Sequence, residues 1–196
     1  GEQLDEVVAA WEAAESPLLM VGFNRRFAPH VVRMHSLLAA IEEPCSFVMT
    51  VNAGVTPADS WVHDPDSGGG RIVGEGCHFV DLLRFLAGSP IVSWQATPVG
   101  RVGGLQITED KTTMTLGFAN GSWGAIHYLG NGSKAFPKER LEVFTSGRIL
   151  QLNDFRSMSG WGWPGFRKMS LRRRDKGHAA AMAAFVDAVR DGGAAP

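Results

Sequence analysis

The segment Thr112-Thr113-Met114-Thr115-Leu116-Gly117-Phe118-Ala119-Asn120-Gly121-Ser122-Trp123-Gly124-Ala125-Ile126-His127-Tyr128-Leu129-Gly130 reads as two strands around a tight turn. Asn120-Gly121 suits the positive-φ positions of a two-residue hairpin, and β-branched and aromatic residues lie on both sides of it. A second hairpin follows, with Leu141 to Thr145 and Arg148 to Leu152 flanking Ser146-Gly147. Phe47 to Val55, Ile91 to Val99 and Phe166 to Arg173 read as further strands. Helical spacing marks Glu2 to Glu15, Pro29 to Ile41, Gly74 to Ala87 and His178 to Arg190. Val31, Val32, Met34, Leu37, Leu38 and Ile41 give the second helix its apolar face, and Met182, Phe185, Val186 and Val189 do so for the last. Strands joined by hairpins, with helices at both ends, predict an α+β domain. Its core is an open, mainly antiparallel sheet with helices on one face.

The N-terminal stretch has a different character. Leu18-Leu19-Met20-Val21-Gly22-Phe23 is a continuous apolar run after a helix stopped by Ser16-Pro17. Such a run is typical of a parallel strand buried on both faces. A helix followed by that strand is half of a βαβ unit, so the chain reads as starting inside a larger α/β protein. Residues 1–23 are therefore expected to be the terminal helix and strand of a dinucleotide-binding domain. Residues 24–196 are expected to form a substrate and dimerisation domain.

Of the 196 residues, 44% are hydrophobic, enough for a sizeable core without staples. Lys plus Arg number 19 and Asp plus Glu 20, a formal net charge of −1. That balance lacks the basic excess on which nucleic-acid affinity rests, and gives no attraction to anionic membranes. Cys45 and Cys77 form no CxxC pair, which argues against a disulfide scaffold and for a reducing, cytoplasmic compartment. Cys77 reads as a small buried hydrophobe. Cys45, His63, Glu75, Cys77 and His78 lack paired zinc spacing, so no metal is expected. No apolar run is long enough to span a membrane.

The residues with most chemistry lie in Gly68-Gly69-Gly70-Arg71-Ile72-Val73-Gly74-Glu75-Gly76-Cys77-His78-Phe79-Val80-Asp81. Three glycines let the backbone pass close to a ligand or another segment. Glu75 and His78 are three apart at a helix start and can share a face, as can His78 and Asp81. A carboxylate beside an imidazole fixes its tautomer and raises its basicity, as a general base requires. The same spacing also fits a helix N-terminus with a hydrogen-bonded histidine. The preceding loop, Asn52 to Ser67, is polar and broken by Pro57 and Pro65, and is expected to reach over something.

The run GGGRIVGEGCHFVDLLRFLAG resembles the active-site segment of the Gfo/Idh/MocA oxidoreductases, the glucose–fructose oxidoreductase and inositol dehydrogenase family. LLMVGFNRRFAP, Lys138 to Val143 and the closing HAAAMAAFVDAVRDGG are also similar to that family, in the same order. The tryptophan loop is most similar to a subgroup in which an alcohol-dehydrogenase-like half precedes this module. The resemblance implies a two-domain enzyme, with NAD or NADP on a Rossmann domain and the substrate on an open-sheet domain. The cofactor site and the family's catalytic lysine would lie before Gly1, so no cofactor is expected on this fragment alone.

Carried over by position, the resemblance implies that His78 is the active-site histidine, acting as acid/base on the hydroxyl that loses hydride or orienting that hydroxyl for the family's lysine. The family's aspartate four residues before that histidine is Gly74 here, which leaves Glu75, one position late, as the candidate carboxylate. Arg25 matches a substrate-contacting position of the inositol dehydrogenases, Asn52 lies on the strand where relatives also contact substrate, and Trp61 could stack on a sugar ring. The alternatives are an ion pair for Arg25, a turn role for Asn52 and loop packing for Trp61. The resemblance implies an NAD(P)-dependent oxidoreductase acting on a hydroxyl of a sugar, cyclitol or sugar nucleotide. The alternative is an impaired relative that serves as a binding or dimerisation module. Apolar residues on both faces of the Asn120-Gly121 strands, and the family's habit of pairing through this sheet, imply a homodimer.

Overall fold

The computed structural model describes residues 2–64, 66–99 and 110–196. Pro65 and Gly1 lie outside the described residues. Four helices run over Glu2–Ala13 (α1), Pro29–Leu38 (α2), Cys77–Ala87 (α3) and His178–Asp191 (α4). Eight strands run over Ser46–Asn52 (β1), Ile91–Pro98 (β2), Lys111–Phe118 (β3), Trp123–Leu129 (β4), Glu139–Thr145 (β5), Arg148–Asn153 (β6), Ser157–Trp161 (β7) and Lys168–Ser170 (β8). They form one sheet in the order β2-β3-β4-β1-β5-β6-β7-β8. Among the described residues only β1 and β4 pair in parallel, in keeping with the expected α+β architecture.

Alternation along the strands sends Phe47, Met49, Val51, Ile126, Tyr128, Leu141, Val143, Leu150 and Leu152 to one face, where all are buried. Val31, Met34 and Leu38 of α2 and Phe79, Leu82, Leu83 and Leu86 of α3 complete that core. Gly124 lets α3 come down on β4, because a Cβ there would lie 2.6 Å from Leu83 Cδ2.

The core helices α2 and α3 pack on that face and not on the other. Pairing aligns Trp123, Ser46, Phe144, Ile149 and Trp161 in one row across five strands. Trp123, Phe144 and Trp161 are each two strands apart and each 41–51% exposed.

Leu18 to Phe23 pairs with no strand among the described residues, Leu19 and Val21 are 52% and 60% exposed, and α1 buries nothing. As the last helix and strand of a dinucleotide-binding domain, they would take their flanking strands from that domain. Other expectations need correction. In α4 only Ala181 is buried, while Met182, Val186 and Val189 are exposed. The strand expected over Phe166 to Arg173 shrinks to β8, and β7 was not foreseen. Cys77 is exposed, not buried, because it stands at the first turn of α3 and points away from the sheet; Cys45 is buried.

Candidate functional site

The chain enters α3 through a wide π turn, Ile72–Gly76. Such a turn accommodates an extra residue and is frequent at functional sites. Here it carries Glu75 to the sheet. Tyr128 of β4 donates its hydroxyl to Glu75 Oε2 at 2.7 Å, and Lys138 donates to Oε1. Arg25 lies 3.9 Å from the same carboxylate. Burial works to raise the Glu75 carboxyl, but the hydrogen bonds from Lys138 and Tyr128 and the charges of Lys138 and Arg25 outweigh it. The carboxyl is held below its ordinary range, so Glu75 is anionic at neutral pH. Burial and the neighbouring carboxylate push the Tyr128 phenol up, so it stays a donor.

His78 follows one turn later, half-buried, with its ring edge-on to Phe23 at 5.8 Å. Its Nδ1 is buried without a hydrogen-bond partner. Burial and the Arg25 cation lower its pKa, while Glu75, Glu139 and Asp81 pull the other way. The imidazole is therefore neutral at pH 7 and able to accept a proton. Asp81 does not orient it. That carboxylate takes both Nε and Nη2 of Arg26.

Arg25 is buried, at 5% exposure, and forks onto Glu139 through Nε at 3.0 Å and Nη2 at 3.1 Å. Lys176 reaches the same carboxylate. Burial would raise Glu139, but the Arg25 and Lys176 partners hold it low. Asn24 donates to the Lys176 carbonyl at 2.7 Å, so the entry to α4 is fastened to the short helical turn Asn24–Phe27. Arg25 thus stands behind Glu75 and His78, not on an open surface.

Trp61 is 68% exposed. It shares a cavity of about 300 Å³ with Thr56, Val62, Gly68, Gly70, Arg71, Gly74 and Glu75. Asn52 faces elsewhere. Its Nδ2 donates to the carbonyls of Ser133 (2.7 Å) and Phe136 (3.2 Å), holding the loop before β5, and its buried Oδ1 has no partner. The structure therefore gathers Glu75, His78 and Arg25, places Trp61 across a cavity from Glu75, and gives Asn52 a loop-fastening contact. Sequence spacing did not single out Tyr128, Lys138, Arg71 or Glu139. Tyr128 and Lys138 are 53 and 63 residues from Glu75, Glu139 is 114 from Arg25, and Arg71 reaches back 17 and 18 residues to Gly54 and Ala53, so the fold and not local spacing brings them in.

The glycine run does not fit a dinucleotide's phosphates. Gly68 and Gly69 donate their N–H groups to the Asp64 carbonyl and Gly70 to that of Val62. A Cβ on Gly68 would sit 2.4 Å from the Trp61 carbonyl oxygen. These glycines close the loop on itself and offer no free N–H cradle. Among the described residues, no group of three or more His, Cys, Asp or Glu is placed to hold a metal ion. Among them, too, no helix is long and apolar enough to cross a membrane.

Comparison with known proteins agrees with this fold. The GFO/IDH/MocA C-terminal domain family matches residues 33–151, more than half of the chain. No curated protein matches by sequence. Among solved structures, the chain is similar to UDP-N-acetylglucosamine 3-dehydrogenase from Acidithiobacillus ferrooxidans, with 19% identity and a TM-score of 0.75 over 99% of this chain and 59% of that one. An aldose-aldose oxidoreductase from Caulobacter crescentus, complexed with glycerol, has 18% identity and a TM-score of 0.76 over 95% and 58%. A levoglucosan dehydrogenase in complex with NADH has 20% identity and a TM-score of 0.76 over 97% and 62%. The chain thus spans about three fifths of the length of each. By the family match and the shared fold, this chain belongs to the GFO/IDH/MocA family, as its C-terminal domain.

Proposed function

We propose that this domain supplies the substrate-facing side and the acid/base group of an NAD(P)-dependent oxidoreductase. Its substrate would be a hydroxyl-bearing sugar, cyclitol or sugar nucleotide. The observation that carries the reading is the placing of His78 one turn after Glu75, a carboxylate that Tyr128 and Lys138 hold in place and that lines the cavity, with burial favouring the neutral imidazole. His78 would accept the proton of the substrate hydroxyl as it is oxidised and return it in reduction. Glu75 would hold the resulting imidazolium by its charge. Arg25 is a positioning residue that fixes Glu75 from behind, and Trp61 offers a ring face for a sugar. The nicotinamide cofactor would be held outside the described residues, whose glycines do not cradle its phosphates.

The site's neighbours favour an active enzyme over an impaired one. Gly74 removes the family carboxylate, yet the wide turn brings Glu75 to two donors instead. We further propose a homodimer through the sheet face opposite α2 and α3, because the Trp123, Phe144 and Trp161 row is an apolar strip of the kind that partners cover. Two free cysteines, one buried and one exposed, suit a reducing cytoplasm. The test is to incubate the full-length protein with NAD or NADP and a panel of aldoses, cyclitols and sugar nucleotides. Reduction of the nicotinamide by at least one of these alcohols is expected. Its absence across the panel, in a folded protein that binds the sugars, would favour the binding-module reading.

A further inference from the structure

We infer that the cavity beneath the Trp61 loop takes the negatively charged group of an acidic sugar, a carboxylate or a phosphate ester, with Arg71 as its counter-ion. This rests on the sugar-oxidoreductase reading above and narrows its substrate class. Arg71 lines the cavity and is half-buried. Its guanidinium is held in place, donating to the Gly54 carbonyl at 2.6 Å and the Ala53 carbonyl at 2.8 Å, and lying 5.7 Å from the Tyr128 ring centroid. Among the described residues it has no carboxylate within ion-pair distance. Two carbonyls need donors but no full charge. A guanidinium has five N–H groups, so donors remain for a ligand.

The nearby carboxylates do not neutralise it. Both oxygens of Glu75 are taken, by Tyr128 and Lys138. Asp64 turns to the backbone N–H groups of Asp66 and Ser67, and neither Asp59 nor Asp66 lines the cavity. Along the connected cluster, four cations (Arg25, Arg71, Lys138 and Lys176) face two carboxylates, Glu75 and Glu139. That is an excess of two positive charges, with Arg26 and Asp81 cancelling beside them. Lys134 is exposed and its stem passes beside Gly54, whose carbonyl accepts from Arg71, which adds a further cation on the Arg71 side. Walls of Trp61 and Val62 lower the local dielectric and strengthen the field of such an excess. A neutral sugar makes no use of that field, whereas a uronate or sugar phosphate does.

The test is an NMR titration of the full-length protein with glucose, glucuronate and glucose 6-phosphate. At low salt at least one charged sugar should bind about tenfold or more tighter than glucose, the effect of one partly screened charge contact. Which one does so tells carboxylate from phosphate. Raising the salt should erase the preference and leave glucose binding unchanged. Arg71→Gln should remove it at low salt, and Arg71→Lys should keep part of it. Because Arg71 also fastens the loop, Lys134→Gln, at an exposed position, gives a second readout and should weaken the charged sugar only. Equal affinities for all three sugars, or a preference that survives high salt and Arg71→Gln, would overturn the inference while leaving the sugar reading intact. Failure of all three to bind would overturn both.

Discussion

Glu139 is the acid on which the site's framework depends, and replacing it with glutamine tests that framework. The substitution keeps shape and volume but removes the charge. The Glu139 side chain is 1% exposed, and its partners Arg25 and Lys176 are 6% and 15% exposed. Glutamine would leave two cations buried with no counter-charge and would turn an amide N–H₂ toward one of them. Breaking a buried ion pair from one side costs about 3–5 kcal/mol. In a chain of this size that lowers Tm by roughly 6–20 °C. Urea unfolding at pH 7, followed by tryptophan fluorescence, measures the loss. A loss below about 1 kcal/mol would refute the buried-triad account. Acid titration gives a second readout. The Glu139 carboxyl is held below its ordinary value, so its contribution is complete above about pH 4.3 and is lost as pH falls through the folded-state pKa. Wild-type stability should therefore fall more steeply with acid than that of Glu139→Gln.

Gly74→Asp restores the carboxylate that the family resemblance leads one to expect. A Cβ at Gly74 meets only the Gly68 carbonyl, at 4.0 Å, so stability by thermal melting should change by less than about 1 kcal/mol. A larger loss would mean that the cavity is narrower than described. His30 is fully buried, and burial lowers its pKa. The unfolded chain then binds the extra proton, so stability is full above about pH 6.5 and declines as pH falls below it. His30→Phe should flatten that decline in urea unfolding at stepped pH, with the remainder belonging to His78; an unchanged slope would contradict this. The proposed dimer should bury more than roughly 1,000 Å² and sediment as two copies at tens of micromolar, and Trp123→Asp should leave a folded monomer. A wild-type monomer at that concentration would contradict it.

Local chemistry was legible and register was not. Asn120-Gly121 announced its hairpin, although only Gly121 takes a positive φ (+83°); at Ser146-Gly147 both residues do, at +47° and +67°. β7 was missed because Ser157-Met158-Ser159-Gly160-Trp161 carries no β-branched residue and is a strand by its pairing with β6 and β8. The Leu18 to Phe23 run was read for its composition, but burial needs neighbours that a single segment cannot reveal. At the site, Glu75 and His78 were visible by their spacing on one helix. The π turn that brings Glu75 inward was not, since it is fixed by contacts with Tyr128 and Lys138 across the fold. Glu139 lies in the family-like run Lys138 to Val143 with nothing local to mark it as buried; Arg25 and Lys176 converge on it from far along the chain.

The central claim is that His78 moves the hydroxyl proton. Single-turnover reduction of the nicotinamide by the full-length protein and its His78→Ala variant, with the oxidisable alcohol, tests it most directly. Loss of a general acid/base should slow that step by about 10²–10⁴, with cofactor affinity unchanged. A rate equal to wild type would remove His78 from the chemistry and contradict the account.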